Sequence, residues 1–247
     1  MNELFVKSVR FEGGLSENSW LARLPMVRNL KRMGELRFEA PVTFIVGENG
    51  VGKSTLIEAI AVNMGFNPEG GSVNFNFSTE DSHSELHDHI RVGKGPRRRR
   101  DGFFLRAESF YNVASNIDLL EREEPGLLRG YGGRSLHAQS HGESFMALVA
   151  NRFRGEGIYI LDEPEAALSP SRLMQLMCYI HDLADGGSQF IISTHSPILM
   201  SYPGAEVVLL DDEGISKVEY KDTEHYRITK QFMDAPERMF RYLFEKE

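Results

Sequence analysis

Gly47-Glu48-Asn49-Gly50-Val51-Gly52-Lys53-Ser54 is the stretch whose reading decides the fold. It fits G-x-x-x-x-G-K-[ST], the phosphate-binding loop. On its N-terminal side, Pro41 to Val46 (PVTFIV) is a short apolar, β-branched run that reads as a buried strand. On its C-terminal side, Thr55 to Val62 (TLIEAIAV) has helical spacing. Strand, loop and helix come in the order the motif requires. The glycines let the backbone curl so that successive N–H groups face one anion, and the helix adds its positive end. Lys53 can reach β- and γ-phosphates, and Ser54 can ligate Mg²⁺. Gly47, Asn49, Gly50, Val51, Gly52, Lys53, Ser54 and Thr55 are therefore expected to hold the phosphates.

The 247 residues suffice for one large α/β domain or two small ones. Hydrophobic content of 41% and charged content of 26% belong to a globular chain rather than a disordered one. No apolar run approaches the roughly 18 residues that a membrane span needs. The first residues, MNELFVKSVRFEGG, lack a basic segment followed by an apolar core, so no signal peptide is expected. The single cysteine, Cys178, excludes an internal disulfide and fits a reducing, cytoplasmic location. It sits in LMQLMCYI and is expected to be a buried, inert thiol. A net charge of −8 gives no global attraction to nucleic acid, although a local basic face stays open.

Along the chain, Leu4 to Phe11 alternates as a strand and Gly34 closes a short helix. Glu35 to Val46 reads as strand, with Pro41 marking an edge or bend. Residues 65 to 101 are rich in Gly, Ser, Asn, His and charge, and read as hairpins and surface loops. Gly102 to Ala107 is a strand. Ser109 to Glu123 is a helix with Val113, Ile117 and Leu120 on one face, followed by a turn-rich linker to Gly133. Ser140 to Arg152 and Pro170 to Leu183 are helices. Gly157 to Leu161, Gln189 to Ser193 and Glu206 to Leu210 are buried strands, Ile215 to Tyr220 an edge strand, and Phe232 to Phe244 a closing helix. Strands alternating with helices predict an α/β fold with a mainly parallel sheet.

Three more stretches carry chemistry. Ile158-Tyr159-Ile160-Leu161-Asp162-Glu163 is an apolar strand ending in two acids. The strand end places Asp162 beside the phosphate loop, where it can hold Mg²⁺ through water, while Glu163 can polarise an attacking water. FIISTHSP puts His195 just past a buried strand, where it can sense the γ-phosphate. Gln139-Ser140-His141-Gly142-Glu143-Ser144 is a Ser-x-Gly turn opening a helix. Taken alone it is a helix cap; with the other pieces it is a second phosphate-binding helix end, offering a hydroxyl, unhindered N–H groups and a dipole.

In this order, the phosphate loop, S-x-G-E turn, hydrophobic-DE strand and T-H-S resemble the ABC ATPase family, with its Walker A and Walker B patterns. GENGVGKSTLIEAI most resembles the branch of structural-maintenance-of-chromosomes and RecF-type heads and small stand-alone AAA-family ATPases. The resemblance spans nearly the whole chain. It implies a P-loop NTPase head with an ATP-binding core (residues 1–70 and 153–247), an antiparallel edge and a helical, signature-bearing lobe (71–152). It implies ATP and Mg²⁺ as cofactors. It further implies a head-to-tail homodimer around two ATP molecules, with Ser140, Gly142 and Glu143 serving the nucleotide held by the partner copy's loop. Catalysis would fall to Glu163 and His195, and metal binding to Ser54 and Asp162. Three departures stand out. His141 replaces the signature's first glycine. FLRAES, where a Gln loop falls, holds no glutamine, leaving Glu108 or Ser109 as substitutes, with Glu108 a candidate metal ligand. Ser169 stands where transporter members carry Asp.

The resemblance implies an ATPase that acts as a switch on DNA or a partner protein. The alternative is the ATP-binding subunit of a membrane transporter, against which the missing glutamine argues; a third option, a non-hydrolysing scaffold, is opposed by Asp162, Glu163 and His195. Side signals are weaker. Lys94 and Arg97 to Arg100 form a basic loop that suits a phosphate backbone, an acidic partner or plain solvation. His83, His87 and His89 have no cysteine beside them and read as surface. Trp20 reads as packing rather than as an adenine platform.

Overall fold

Residues of the central strands alternate between two apolar layers, and this period of two builds the molecule. The computed structural model describes residues 3–73, 84–123 and 125–244. In chain order the elements are β1 (Val6–Phe11), α1 (Trp20–Arg23), α2 (Pro25–Met33), β2 (Glu35–Arg37), β3 (Val42–Val46), α3 (Lys53–Asn63), α4 (Leu86–His89), β4 (Ile90–Lys94), β5 (Asp101–Arg106) and α5 (Phe110–Glu123). Then follow α6 (His141–Arg152), β6 (Gly157–Asp162), α7 (Pro170–Asp185), β7 (Gln189–Ser193), α8 (Pro197–Met200), β8 (Glu206–Leu210), β9 (Ile215–Lys217), α9 (Glu224–Asp234) and α10 (Pro236–Phe244).

The main sheet has the order β5-β6-β7-β3-β8-β9, parallel except for the edge strand β9. Phe44 and Val46 of β3, Tyr159 and Leu161 of β6, and Phe190 and Ile192 of β7 face one layer, which α5, α6 and α7 complete. Ile45, Ile158, Ile160 and Ile191 face the other, shared with α2, α3 and the small sheet β2-β1-β4. Strands buried on both faces read as continuous apolar runs, which is why VTFIV and GIYIL are legible. Gln189 ties the sheets together. Its buried side chain accepts from the N–H groups of Phe5 and Val6 and donates to the Val6 carbonyl, each at 2.9 Å.

The α/β class and mainly parallel sheet agree with the sequence reading; several local readings are corrected. Residues 35–46 are two strands in different sheets, because the chain turns before Pro41. Within 65–101, β4 pairs with β1 rather than in a hairpin. Of the stretch 71–152, β4 and β5 join the sheets, so its long helices start at Phe110. The closing helix is two, α9 and α10, broken at Ala235 ahead of Pro236. Cys178 is exposed. In α7, Leu176 and Ile180 are buried, and a residue two places on from Leu176 lies on the far side of the helix. Among the described residues no helix is long and apolar enough to cross a membrane.

Candidate functional site

Sheet register brings the candidate residues to one edge. Ser193 lies opposite both Ile45 and Asp162, and Asp162 lies opposite Arg106. The loops leaving the C-terminal ends of β3, β6 and β7 therefore converge, as expected of a ligand crevice in an open parallel sheet.

The phosphate loop is shaped by its glycines. Gly47 has φ +145°, and a Cβ there would lie 2.1 Å from the Leu210 carbonyl oxygen. Gly52, the left-handed N-cap of α3, has φ +105° and lies against Met26. Lys53 is buried, and its Nζ donates to the carbonyls of Gly47 at 2.9 Å and Glu48 at 3.0 Å. Burial lowers its pKa, against the pull of Glu163 and Asp162. Val51 is buried, Ser54 and Thr55 are half-buried in the first turn of α3, and Asn49 and Gly50 are exposed.

Asp162 is buried and accepts from the Ser193 hydroxyl; its Oδ2 lies 3.4 Å from Arg106 Nε. Arg106 also bonds Glu58 of α3 at 2.6 Å. Glu163 has a left-handed backbone, φ +50°, uncommon for a residue with a side chain. Its N–H donates to the carbonyl and hydroxyl of Ser193. Burial, and then the Asp162 charge, raise its pKa, with Lys53 opposing. Glu108 lies beyond β5 with its side chain 89% exposed, 3.9 Å from Arg106 Nη2.

His195 is anchored through its backbone, whose N–H donates to Glu165 Oε1 at 2.5 Å. Its Nε2 lies 3.4 Å from Glu163 Oε1, and its Nδ1 lies 2.7 Å from Nε2 of His225 on α9. Burial first, then the charge of Lys53, hold its pKa down to about 4 from 6.5. An unfolded chain takes up that proton near pH 6.5 and the folded one only near 4. This contribution to stability is thus fully present above pH 6.5 and is lost as pH falls from 6.5 to about 4. Thermal melts across that window should show a steeper loss for wild type than for His195→Gln. Parallel curves would refute the shift.

Ser140 caps α6 in a reciprocal box with Glu143. Ser140 N–H donates to Glu143 Oε2 at 3.0 Å, and Glu143 N–H to Ser140 Oγ at 3.4 Å. The Ser140 hydroxyl, which also donates to Glu143, holds that exposed carboxyl below its ordinary range. The Gly142 carbonyl accepts from Arg172 at the start of α7, so the turn rests on the chain that follows the acidic pair. Among the described residues, no hydrogen bond or ion pair joins Ser140, Gly142 or Glu143 to residues 47–54.

The structure thus gathers Gly47–Ser54, Asp162, Glu163 and His195, and leaves Ser140–Glu143 apart from the loop. Sequence reasoning missed Arg106, Ser193, Glu165 and His225. Ser193 and Arg106 at least lie inside stretches singled out above, FIISTHSP and FLRAES. Of the basic run, Arg97 lies over Phe5 and bonds Glu156, Arg99 lies over Phe66 and bonds the Met64 carbonyl, and Arg100 pairs with Glu156. These arginines pin the chain, and Arg98 is exposed. His87 contacts the Ser84 carbonyl and Asp88, and His89 the Gly13 carbonyl, while His83 lies outside the described residues. Trp20 is 57% exposed.

The residues fit a nucleotide triphosphate with magnesium. The cradle at Gly47 admits no Cβ, and Lys53 is buried at the loop with the positive end of α3 beside it. Ser54 and Asp162 are hard oxygen donors. No group of three or more His, Cys, Asp or Glu among the described residues can hold a metal alone. Mg²⁺ takes one or two protein oxygens plus phosphate, and Ser54 and Asp162 offer oxygens of that kind.

A family profile described as "AAA domain, putative AbiEii toxin, Type IV TA system" matches residues 129–201, and one described as "AAA domain" matches residues 27–114. A "Putative ABC transporter ATP-binding protein" of Pyrococcus horikoshii is 31% identical over 183 residues, covering 68% of each chain. A Schizosaccharomyces pombe "Brefeldin A resistance protein" is 22% identical over 212 residues, 78% of this chain but 14% of that one. An energy-coupling factor transporter ATP-binding protein of Methanospirillum hungatei is 25% identical over 191 residues, 69% of this chain and 46% of that one. The chain thus spans less than half the length of these last two relatives. Among solved structures, an inward-facing "putative metal-chelate type ABC transporter" aligns over 94% of this chain and 90% of that one, with a TM-score of 0.51 and 15% identity, a likeness of fold.

Proposed function

Because the chain belongs to the ABC-type ATPases, P-loop proteins that bind and hydrolyse ATP, we propose that it works as a switch in which two copies close head to tail around two ATP molecules. The observation that carries this reading is the capped helix end at Ser140–Gly142. It has the chemistry of an anion site, is not bonded to its own chain's phosphate loop, and rests on Arg172 behind the acidic pair. A γ-phosphate bound by one copy's Lys53 would satisfy the other copy's Ser140 and Gly142. ATP would then favour the dimer by differential binding.

In this reading residues 47–55 cradle the phosphates, with Lys53 on the β- and γ-phosphates. Ser54 and Asp162 would hold Mg²⁺, which when bound supplies charge neutralisation at the phosphates; exposed Glu108 is given no part in it. Ser193 and Arg106 orient the Asp162 carboxylate. Glu163, whose carboxyl is raised by burial, accepts a proton from the attacking water. His195 steadies Glu163 and faces the γ-phosphate. Residues 1–70 and 153–247, with β4 and β5, form the core, and α5 and α6 carry the signature end. The output would be DNA or a partner protein. The arginine run lends no support to DNA, since most of it is engaged within the fold.

Light scattering of Glu163→Gln with and without Mg-ATP tests the dimer. A shift from monomer to dimer is expected, and Ser140→Arg in the same background should bind ATP yet stay monomeric. A Ser140→Arg variant that dimerises would sink the role across the interface. A second reading, the ATP-binding subunit of a transporter, is favoured by the name of the Pyrococcus relative. Recovery of the dimer with an apolar membrane chain, and not with duplex DNA, would establish it instead.

A further inference from the structure

We propose that His225 is a positioning residue that sets the tautomer of His195 by donating its Nε2–H to His195 Nδ1. The proposal rests on the reading of His195 as facing the γ-phosphate. It names a second histidine, on a helix that none of the sequence motifs reaches.

Two neutral imidazoles joined by one hydrogen bond have one donor and one acceptor nitrogen, and the other side of each ring is then fixed. His195 Nδ1 and His225 Nε2 are 2.7 Å apart. The other nitrogen of His195, Nε2, is buried with no hydrogen-bond partner among the described residues, and lies 3.4 Å from Glu163 Oε1. If His195 Nδ1 donated to His225, Nε2 would turn a lone pair on that carboxylate, buried and unpaired. If His225 donates, Nε2 carries the proton and turns an N–H toward Glu163. An incoming γ-phosphate, also an anion, needs the same N–H. Both anions therefore demand the arrangement in which His225 is the donor.

The placement of His225 is itself built. Thr223 caps α9 by accepting from Tyr226 N–H, and its own hydroxyl donates to the Tyr220 carbonyl at 2.6 Å. Thr223 is buried against Met200 of α8, the helix that follows Ser196. The second residue of α9 is thereby held over the loop that carries His195, the two rings 4.7 Å apart. Glu48 of the phosphate loop lies 3.9 Å from the same His225 nitrogen. A shift of α9 would break the donor bond and free the His195 ring to change tautomer.

The test begins on the nucleotide-free protein carrying [¹⁵N]histidine, with His195 assigned by its loss in His195→Gln. Long-range proton–nitrogen spectra should show the His195 proton on Nε2 in wild type. In His225→Ala its two nitrogen shifts should move toward each other as the tautomers mix. His225→Gln, whose amide can donate, should restore the wild-type pattern. A His195 proton on Nδ1 in wild type, or an unchanged pattern in His225→Ala, would overturn the proposal. This readout needs no turnover, so it stands apart from the catalytic reading of the site. In kinetics, His225→Ala should lower kcat about tenfold, with KM for ATP within about twofold, and His225→Gln should recover most of the loss. A change confined to KM, or an alanine-like glutamine variant, would refute the positioning role.

Discussion

Lys53→Ala should weaken ATP binding by about 100-fold. Lys53 Nζ is buried and held by two loop carbonyls, at 2.9 and 3.0 Å. Its charge is balanced at a distance by Glu163 and Asp162, with no direct carboxylate partner among the described residues. A phosphate would offer a stronger, charge-assisted bond to an ammonium group already in place, so little ordering cost opposes it. A hydrogen bond to a charged group contributes about 1.5–3 kcal/mol, or roughly 10- to 150-fold in affinity. Titration calorimetry with Mg-ATP at fixed salt measures this directly. Affinity within about threefold of wild type would remove Lys53 from the phosphate site.

Glu163→Gln should keep ATP binding and lower turnover by about 10²- to 10⁴-fold, the range for loss of a positioned general base. The amide keeps the size of the carboxylate and can keep a contact with His195, so the left-handed backbone at this position is undisturbed. What is lost is the proton acceptor, whose pKa burial has raised. Phosphate release under saturating Mg-ATP gives the rate, and calorimetry on the same sample gives the affinity. Wild-type turnover in this variant would move the base elsewhere, and Glu165, with one buried oxygen unpaired among the described residues, would be the next residue to change.

The sheet and the phosphate loop were legible because their signals are contiguous. GENGVGKS, ILDE and FIISTHS each carry their chemistry within a few residues, and doubly buried strands advertise themselves as unbroken apolar runs. Partnerships across long separations left no such trace. Arg106 meets Asp162 from 56 residues away only because β5 and β6 are neighbours, and His225 meets His195 only because Thr223 fixes where α9 begins. The misreadings have local causes. Apolar runs do not reveal which side of a helix a residue takes, hence Cys178. Both halves of 35–46 are β-like, and Pro41 alone marked the change of sheet. At the other end, Pro236 was the overlooked sign that one apolar-periodic stretch is two helices.

The position of β3 in the sheet also dictates when the site can come into being. Both of its neighbours, β7 and β8, are supplied by residues 189–210, more than 140 positions downstream. The clasp by which Gln189 holds Phe5 and Val6 spans a similar distance. A chain leaving the ribosome makes its whole phosphate loop long before these strands, so the strand that leads into it has no partner in the sheet until Gln189–Ser193 has emerged, and lacks its second until Glu206–Leu210 follows. Such far-flung pairings are slow to form, because loop closure must come first. Nucleotide capture is thereby postponed until the strands at 189–210 have been made, and a nascent chain exposes the apolar flanks of β3 until then. Those flanks are where a chaperone would find it.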